Sequence, residues 1–271
     1  MKKTVLVTGA SAGIGRETAI YLAQNGYTVY GAARRMEKMQ DLKSFGIKPI
    51  TLDITKGESV EACVDQILQE AGGIDILVNN AGFGLEGAIE DVPMKDARYQ
   101  LDVNVFGAMH LTQLVLPKMR EKKYGKIVNI SSVGGKVALP LGGWYHASKF
   151  ALEALSDSLR NEVREFGIDV IVVEPGATRS EWGNIATDSL LTVSGHTAYK
   201  GLATKTHTIF TQLSNNIQEP IEIAKLIRTG IESAKPKTRY VAKEMNSRVL
   251  LFLRAIVSDK LLDKLIMRQL N

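Results

Sequence analysis

The feature that most limits the folds open to this chain is its alternation of short β-branched runs with longer helical stretches. Strands are expected over Thr4–Thr8, Thr28–Ala32, Lys48–Leu52, Ile76–Asn79, Lys126–Ile130, Val170–Glu174 and Arg239–Val241. Their apolar character is near-continuous rather than alternating, which marks strands buried on both faces. Between them, helical spacing covers Arg16–Asn25, Ser59–Ala71, Lys95–Met119 and Tyr145–Phe166. Parallel strands need a crossover to bring the chain back, and a helix supplies it with a right-handed turn. The expected fold class is therefore α/β, a three-layer Rossmann fold. Its seven-stranded, doubly wound parallel sheet carries helices on both faces.

No linker rich in Pro, Gly or Ser divides the 271 residues, and no repeat of about 20–50 residues is seen. A single domain over 1–271 is expected. Two segments leave the regular alternation. Residues 180–216 are polar and broken by Gly183, Gly195 and Gly201, which suggests a loop-and-helix insertion. Residues 243–271 form a helical, strongly amphipathic tail.

The first strand runs directly into Thr8-Gly9-Ala10-Ser11-Ala12-Gly13-Ile14-Gly15, which opens a helix. Glycines there let the backbone turn tightly and approach a pyrophosphate, while the N–H groups of the helix start attract its charge. The spacing is G-x-x-x-G-x-G. Gly9, Ser11, Gly13, Ile14 and Gly15 are thus the first candidates for dinucleotide contact.

The end of the second strand discriminates between cofactors. An NAD site carries an acid there for the ribose 2′-hydroxyl. This strand ends Gly31-Ala32-Ala33-Arg34-Arg35 instead. Guanidinium groups suit a 2′-phosphate through charge-assisted, bidentate hydrogen bonds, so NADP(H) is the expected cofactor. Asp53 and Ile54 follow the third strand. Asp53 is placed either to accept from an adenine amino group or to cap the next helix. Asn80, Ala81 and Gly82 follow the fourth strand, with small residues where backbone must pass a ligand. The neighbouring Asn79 is read as a contact or only as a tie between strands.

Tyr145 and Lys149 stand four apart on one expected helix, hence side by side. A lysine cation beside a phenol favours the phenolate and lowers a pKa that starts near ~10. Such a tyrosine can act as a general acid or base.

Together, Thr8–Gly15, Asn79–Gly82, Asn104, Ser132, Tyr145, Lys149 and Pro175-Gly176 resemble the ordered motif set of the short-chain dehydrogenase/reductase family. The resemblance runs up to the last strand, and Ser132 stands at the family's spacing before Tyr145. It implies hydride transfer between a nicotinamide and an alcohol or carbonyl, with Asn104, Ser132, Tyr145 and Lys149 as the catalytic set. Negative charge developing on the carbonyl oxygen needs donors at hydrogen-bond distance. Tyr145 would supply the proton and Ser132 a second hydrogen bond. Lys149 would lower the Tyr145 pKa and hold the nicotinamide ribose, and Asn104 would complete a water-linked relay to it. Pro175, Gly176, Thr178 and Ser180 would pass the nicotinamide. Ser180 stands where the family usually has Thr. His146 diverges from Tyr145 on the helix and is expected to be packing or rim.

Residues Ser132–Lys136 and Lys149–Glu153 are similar to those of the 17β-hydroxysteroid and retinol dehydrogenase-like subgroup. This implies a lipophilic substrate, with Trp182 and Tyr199 available to pack on it. The same fold without the catalytic set would serve as a dinucleotide sensor. Epimerases that share Tyr-x-x-x-Lys resemble longer chains.

Composition removes other classes. Lys and Arg number 34 against 29 Asp and Glu, a formal charge of +5, with no dense basic run and only 6% aromatics. Nucleic acid is therefore not an expected partner. The single cysteine, Cys63, permits no intramolecular disulfide and suits a reducing, cytoplasmic setting. No metal site is expected. The apolar run Val5–Val7 is too short for a signal peptide, and no segment reaches the ~18 apolar residues of a membrane span. The tail mixes Leu250, Phe252, Ile256, Leu261 and Leu265 with Arg248, Arg254, Lys260 and Lys264. It is expected to cover the chain's own core or a subunit interface rather than a membrane surface. The resemblance implies a homodimer or homotetramer through Lys95–Met119 and Tyr145–Phe166.

Overall fold

A computed structural model describes residues 2–179, 181–213, 217–242 and 245–270. The strands are β1 (Thr4–Thr8), β2 (Thr28–Ala33), β3 (Lys48–Thr51), β4 (Ile76–Asn79), β5 (Gly125–Ile130), β6 (Ile168–Glu174) and β7 (Arg239–Val241). They form one seven-stranded sheet in the order β3-β2-β1-β4-β5-β6-β7, parallel throughout. The order reverses between the neighbouring strands β1 and β4. In open α/β sheets ligands bind in the crevice beyond the strand ends at such a point.

Helices α1 (Gly13–Gln24) and α8 (Pro220–Glu232) cover one face, where Val5, Val7, Leu22, Val78, Ile171 and Ile227 are buried. Helices α2 (Gly57–Ala71) and α4 (Gly107–Lys122) cover the other, over Leu6, Ile67, Leu77, Leu111 and Ile127. Burial on both faces explains the continuous apolar runs, at roughly 1.5–3 kcal/mol per large aliphatic side chain. Cys63 belongs to this second core, and burial pushes its thiol up to about 12. It is a small apolar residue, not a nucleophile.

The single helix expected over Lys95–Met119 is interrupted. Helix α3 (Met94–Leu101) passes through one wider π turn, Asp102–Phe106, into α4. The turn holds Asn104, and such bulges gather at functional sites. Gly107 follows, where an added Cβ would stand 2.5 Å from the Ile54 carbonyl oxygen, so this helix presses against the loop after β3.

Helix α5 (Gly143–Val163) runs beside the sheet. The expected loop-and-helix segment contains two helices, α6 (Glu181–Ser194) and α7 (Lys200–Leu213), packed on each other. The tail folds as α9 (Met245–Ile256) and α10 (Asp259–Gln269). Among its described apolar side chains Leu262 is buried, whereas Val249, Phe252, Ile256, Leu261 and Leu265 are exposed. These side chains therefore do not cover the chain's own core, the first of the two expected roles of the tail. No helix among the described residues is long and apolar enough to cross a membrane.

Candidate active site

The turn after β1 is held open by its own backbone. Gly9 (φ 70°) and Gly13 (φ 54°) lie in the left-handed region, which costs an L side chain strain that glycine avoids. Helix α1 then begins behind Ala12, with no side-chain cap and no acid in its first turn. Its leading N–H groups and positive dipole end are left for an anion. The Thr8 hydroxyl accepts from the Asn80 N–H at 3.0 Å and the Ala81 N–H at 2.9 Å. Asn80 Nδ2 donates back to the Thr8 carbonyl at 2.8 Å. These bonds clip the end of β4 to the glycine turn. Ile14 packs against the core and orients the helix start.

Two guanidinium groups flank this turn. Arg35 Nη2 donates to the Ser11 hydroxyl at 3.1 Å, and Arg34 Nη1 donates to the Tyr99 hydroxyl at 2.5 Å. An uncapped helix end beside two arginines fits a dinucleotide carrying a further phosphate. Asp53 does not cap α2, which starts behind Lys56. Its Oδ1 accepts from the Thr55 N–H at 3.2 Å and the Thr55 hydroxyl at 2.8 Å, closing its own turn. Asn79 is a tie within the core: Nδ2 donates to Asn129 Oδ1 at 2.9 Å and to the Thr112 hydroxyl at 3.1 Å.

The second half of the site lies where β5 ends and α5 begins. The Ser132 hydroxyl accepts from the Gly134 N–H at 3.0 Å and hydrogen-bonds the Tyr145 phenol. Ser131 turns away, buried against Gly135. Lys149 Nζ donates to the Ile130 carbonyl at 2.9 Å and stands 6.0 Å from the centre of the Tyr145 ring. The Asn104 side chain brackets Phe83. Oδ1 accepts from its N–H at 3.0 Å, while Nδ2 donates to its carbonyl at 3.0 Å and to the Ser148 hydroxyl at 2.9 Å. A Cβ on Gly82 would stand 3.1 Å from Asn104 Oδ1 and 3.7 Å from Lys149 Nζ. The bare glycine leaves that gap open between them.

The electrostatics correct one expectation. Burial raises the Tyr145 phenol above its ordinary value, with the Ser132 hydrogen bond opposing. Burial also brings Lys149 down to about 8, opposed by Glu153. Desolvation penalises the charged form of each group, and here it outweighs the lowering expected from the lysine. Tyr145 is therefore a protonated acid near neutral pH.

Pro175 and Gly176 follow β6, and the Pro175 carbonyl accepts from the Val133 N–H at 3.0 Å. The Thr178 hydroxyl donates to the Gly176 carbonyl at 3.1 Å. Ser180 lies outside the described residues.

Of two further polar residues in this region, Glu86 escapes the motif reading and His146, expected as packing or rim, is buried beside Tyr145. Glu86 is 6% exposed, and burial raises its carboxyl to about 8. His146 is buried, and its ring meets Tyr145 edge-on at 5.6 Å. The side chains at 145 and 146 do not diverge, as expected of helix neighbours, because the ring of His146 is drawn to the Gly134 carbonyl. The signal in the sequence for Glu86 is an acid between glycines, Gly84-Leu85-Glu86-Gly87, just past β4.

Fold and strand-end geometry define a dinucleotide-dependent oxidoreductase of the doubly wound type. The chain belongs to the short chain dehydrogenase family, whose model matches residues 3–189. Members bind a nicotinamide cofactor and act on small molecules. A 3-ketodihydrosphingosine reductase of Bacteroides thetaiotaomicron is 42% identical over 173 residues, which span 64% of this chain and 62% of the relative's own length. An NADPH-dependent 3-dehydrocapnine reductase of Ornithobacterium rhinotracheale is 34% identical, over 98% of this chain and 96% of the relative. The crystal structure of a short-chain dehydrogenase from Streptomyces avermitilis superposes with a TM-score of 0.83 at 34% identity, over 98% of this chain and 95% of that one.

Proposed function

We propose that this protein is an NADPH-dependent reductase of lipophilic ketones, with Tyr145 as the general acid. The observation that carries the reading is the convergence of half-buried Ser132 with buried Tyr145 and Lys149 beyond β5. The names of the two relatives, both reductases, support the ketone class. When bound, the reduced nicotinamide supplies the hydride. Tyr145, held protonated by burial, gives its proton to the oxygen as negative charge develops there. Ser132 donates to the same oxygen and keeps it in line with the phenol. Lys149 presents a cation close enough to favour the phenolate once the proton has left. Asn104 acts through Phe83 and Ser148 as a positioning residue, and Gly82 leaves room beside it. Glycines 9, 13 and 15, the α1 end and Arg34–Arg35 hold the phosphates.

The discriminating experiment is a fluorescence titration with NADPH and NADH on the wild type and on Arg34→Asp. A charge-assisted hydrogen bond contributes about 1.5–3 kcal/mol, or roughly ten- to a hundredfold in affinity. NADPH is expected to bind tighter than NADH by that factor, and Arg34→Asp to abolish the difference. Equal affinity for the two cofactors in the wild type ends the NADP assignment.

A homodimer or homotetramer formed through α4 and α5 is part of this reading. Phe106, Phe150 and Leu155 stand exposed on or beside those helices, and large apolar side chains of that kind mark subunit contacts. Light scattering is expected to return a multiple of the 29.7 kDa chain. A monomer at micromolar concentration removes this part alone.

A further inference from the structure

Sixteen large apolar side chains are exposed among the described residues, and six of them fall in the 26 residues of the α9–α10 tail. Single apolar residues on a surface need no explanation, but these are ordered by the helix repeat. In α9, Val249, Phe252 and Ile256 follow at spacings of three and four, which places them on one face. Phe252 and Ile256 are each 62% exposed. In α10, Leu261 and Leu265 form a second exposed pair four residues apart.

The opposite side of α9 is the one seated on the rest of the chain. Ser247 is buried, and Leu251 and Arg254 line a cavity together with Asp157, Glu174 and Arg239. At 3.6 residues per turn, Ser247, Leu251 and Arg254 lie roughly half a turn round the helix from Val249, Phe252 and Ile256. Arg254 Nη1 donates to Asp259 Oδ1 at 2.5 Å, an ion pair that ties α9 to the start of α10 across Val257-Ser258. Buried Leu262 anchors α10. The apolar stripes lie on sides that the rest of the chain does not cover.

Charge follows the same sides. The tail carries five basic residues and two acids, so it holds three of the chain's five net positive charges. Arg248 stands one turn before Phe252, Lys264 one turn after Leu261, and Arg268 one turn after Leu265, each beside its apolar neighbour. Lys260 extends the α10 row at the same spacing as Lys264 and Arg268. All four cations are exposed, and none has an ion-pair partner among the described residues.

The remaining expected role, a contact between copies of this chain, runs against that charge. A two-fold contact lays one patch on itself and would set unpaired cations against unpaired cations, which repel. The subunit contact proposed above uses α4 and α5 instead. A bilayer surface bearing anionic lipid satisfies both features together. Its headgroup phosphates meet the exposed cations, while the apolar stripes enter the acyl boundary.

We propose that the α9–α10 tail is a docking surface for bilayers that contain anionic lipid, on which the helices lie without crossing. The inference does not depend on the reaction chemistry.

The test is co-sedimentation of the full chain with vesicles of equal parts phosphatidylcholine and phosphatidylglycerol, and with vesicles of phosphatidylcholine alone. Binding to the mixed vesicles is expected to be about tenfold tighter or more, and to weaken at about 0.5 M salt, where charges are strongly screened. Phe252→Gln combined with Ile256→Gln is expected to weaken it by about tenfold or more. Lys264→Gln combined with Arg268→Gln is expected to weaken it by roughly ten- to thirtyfold. All four side chains are exposed, so both variants are expected to melt within about 2 °C of the wild type. A wild type that does not sediment with the mixed vesicles overturns the proposal, as does binding that both variants leave unchanged. Equal binding to the two kinds of vesicle overturns the assignment to anionic lipid. If vesicle binding is absent and Phe252→Gln with Ile256→Gln lowers the mass seen by light scattering, the face belongs to a second copy and the proposal fails.

Discussion

Tyr145→Phe is expected to lower kcat for ketone reduction by about a thousandfold while NADPH still binds within about threefold of the wild type. A positioned general acid contributes roughly 10²–10⁴ in rate, and the phenylalanine ring removes only the proton donor. The ring keeps its edge contact with His146, and Ser132 keeps the Gly134 N–H as a partner. Thermal stability should therefore move little. The same assay across pH separates the two buried groups. Burial holds Tyr145 above the ordinary tyrosine range, so the phenol does not lose its proton at mildly alkaline pH. Lys149, brought down to about 8, loses its charge first as pH rises. The reduction rate is thus expected to fall through pH values near that of Lys149, and Lys149→Met to remove this limb. Steady-state kinetics at saturating NADPH check both points. A Tyr145→Phe enzyme that keeps more than about a tenth of wild-type turnover rejects Tyr145 as the acid.

Gly15→Ala is expected to damage both the fold and the cofactor turn. The added Cβ would stand 2.4 Å from the Gly9 carbonyl oxygen, 2.8 Å from the Gly9 carbonyl carbon and 2.4 Å from Asn80 Nδ2. Asn80 is itself tied to the Thr8 carbonyl, and Gly9 is backbone, so neither can yield without moving β1 against β4. Overpacking of this kind costs about 1–3 kcal/mol or more. The displaced turn also pulls the α1 N–H groups away from the phosphates. A lower urea midpoint together with an NADPH affinity weakened by about tenfold or more is the expected outcome. Wild-type values of both would mean that the turn adapts and that its close packing is dispensable. Gly26, where an added Cβ meets nothing, shows the contrast. Its glycine serves only a left-handed φ of 90°.

Much of the architecture was legible because it depends on local chemistry. Continuous β-branched runs locate the strands to within a residue or two, since burial on both faces favours apolar side chains along most of each strand. The helix start after Gly9–Gly15 was equally plain. The missed elements have physical reasons. The π turn at Asp102–Phe106 carries no propensity signal, because its extra residue is held by the Asn104 side chain on Phe83, a contact 21 residues away in sequence. Helix α8 was visible in principle. Pro220 opens it, and Ile223, Ile227 and Ile231 follow at helical spacing, all buried. The 180–216 segment was expected to be part loop because of its glycines, yet Gly183 and Gly201 sit inside helices, where α6 and α7 pack on each other and outweigh the propensity cost.

The candidate site divides in the same way. Which side chains could do the chemistry followed from residue type and order: glycines behind a strand, arginines where an acid would stand, and a tyrosine four residues before a lysine. How those groups are charged did not follow. Proximity of a cation and burial push the Tyr145 phenol in opposite directions, and only the packed structure sets their balance, which falls to burial. Glu86 and His146 show the same limit. They are 60 residues apart in sequence, and they meet at Gly142 only because the backbone at Glu86 and Gly87 is tied to Ser189 and to the Leu141 carbonyl while His146 turns to Gly134. The sequence by itself determined the fold class and marked the candidate cofactor turn and candidate reacting residue types, because each depends on neighbours within a few positions. Protonation and the walls around the reacting centre were decided by tertiary structure alone, because solvent exclusion and electrostatic fields belong to the assembled chain.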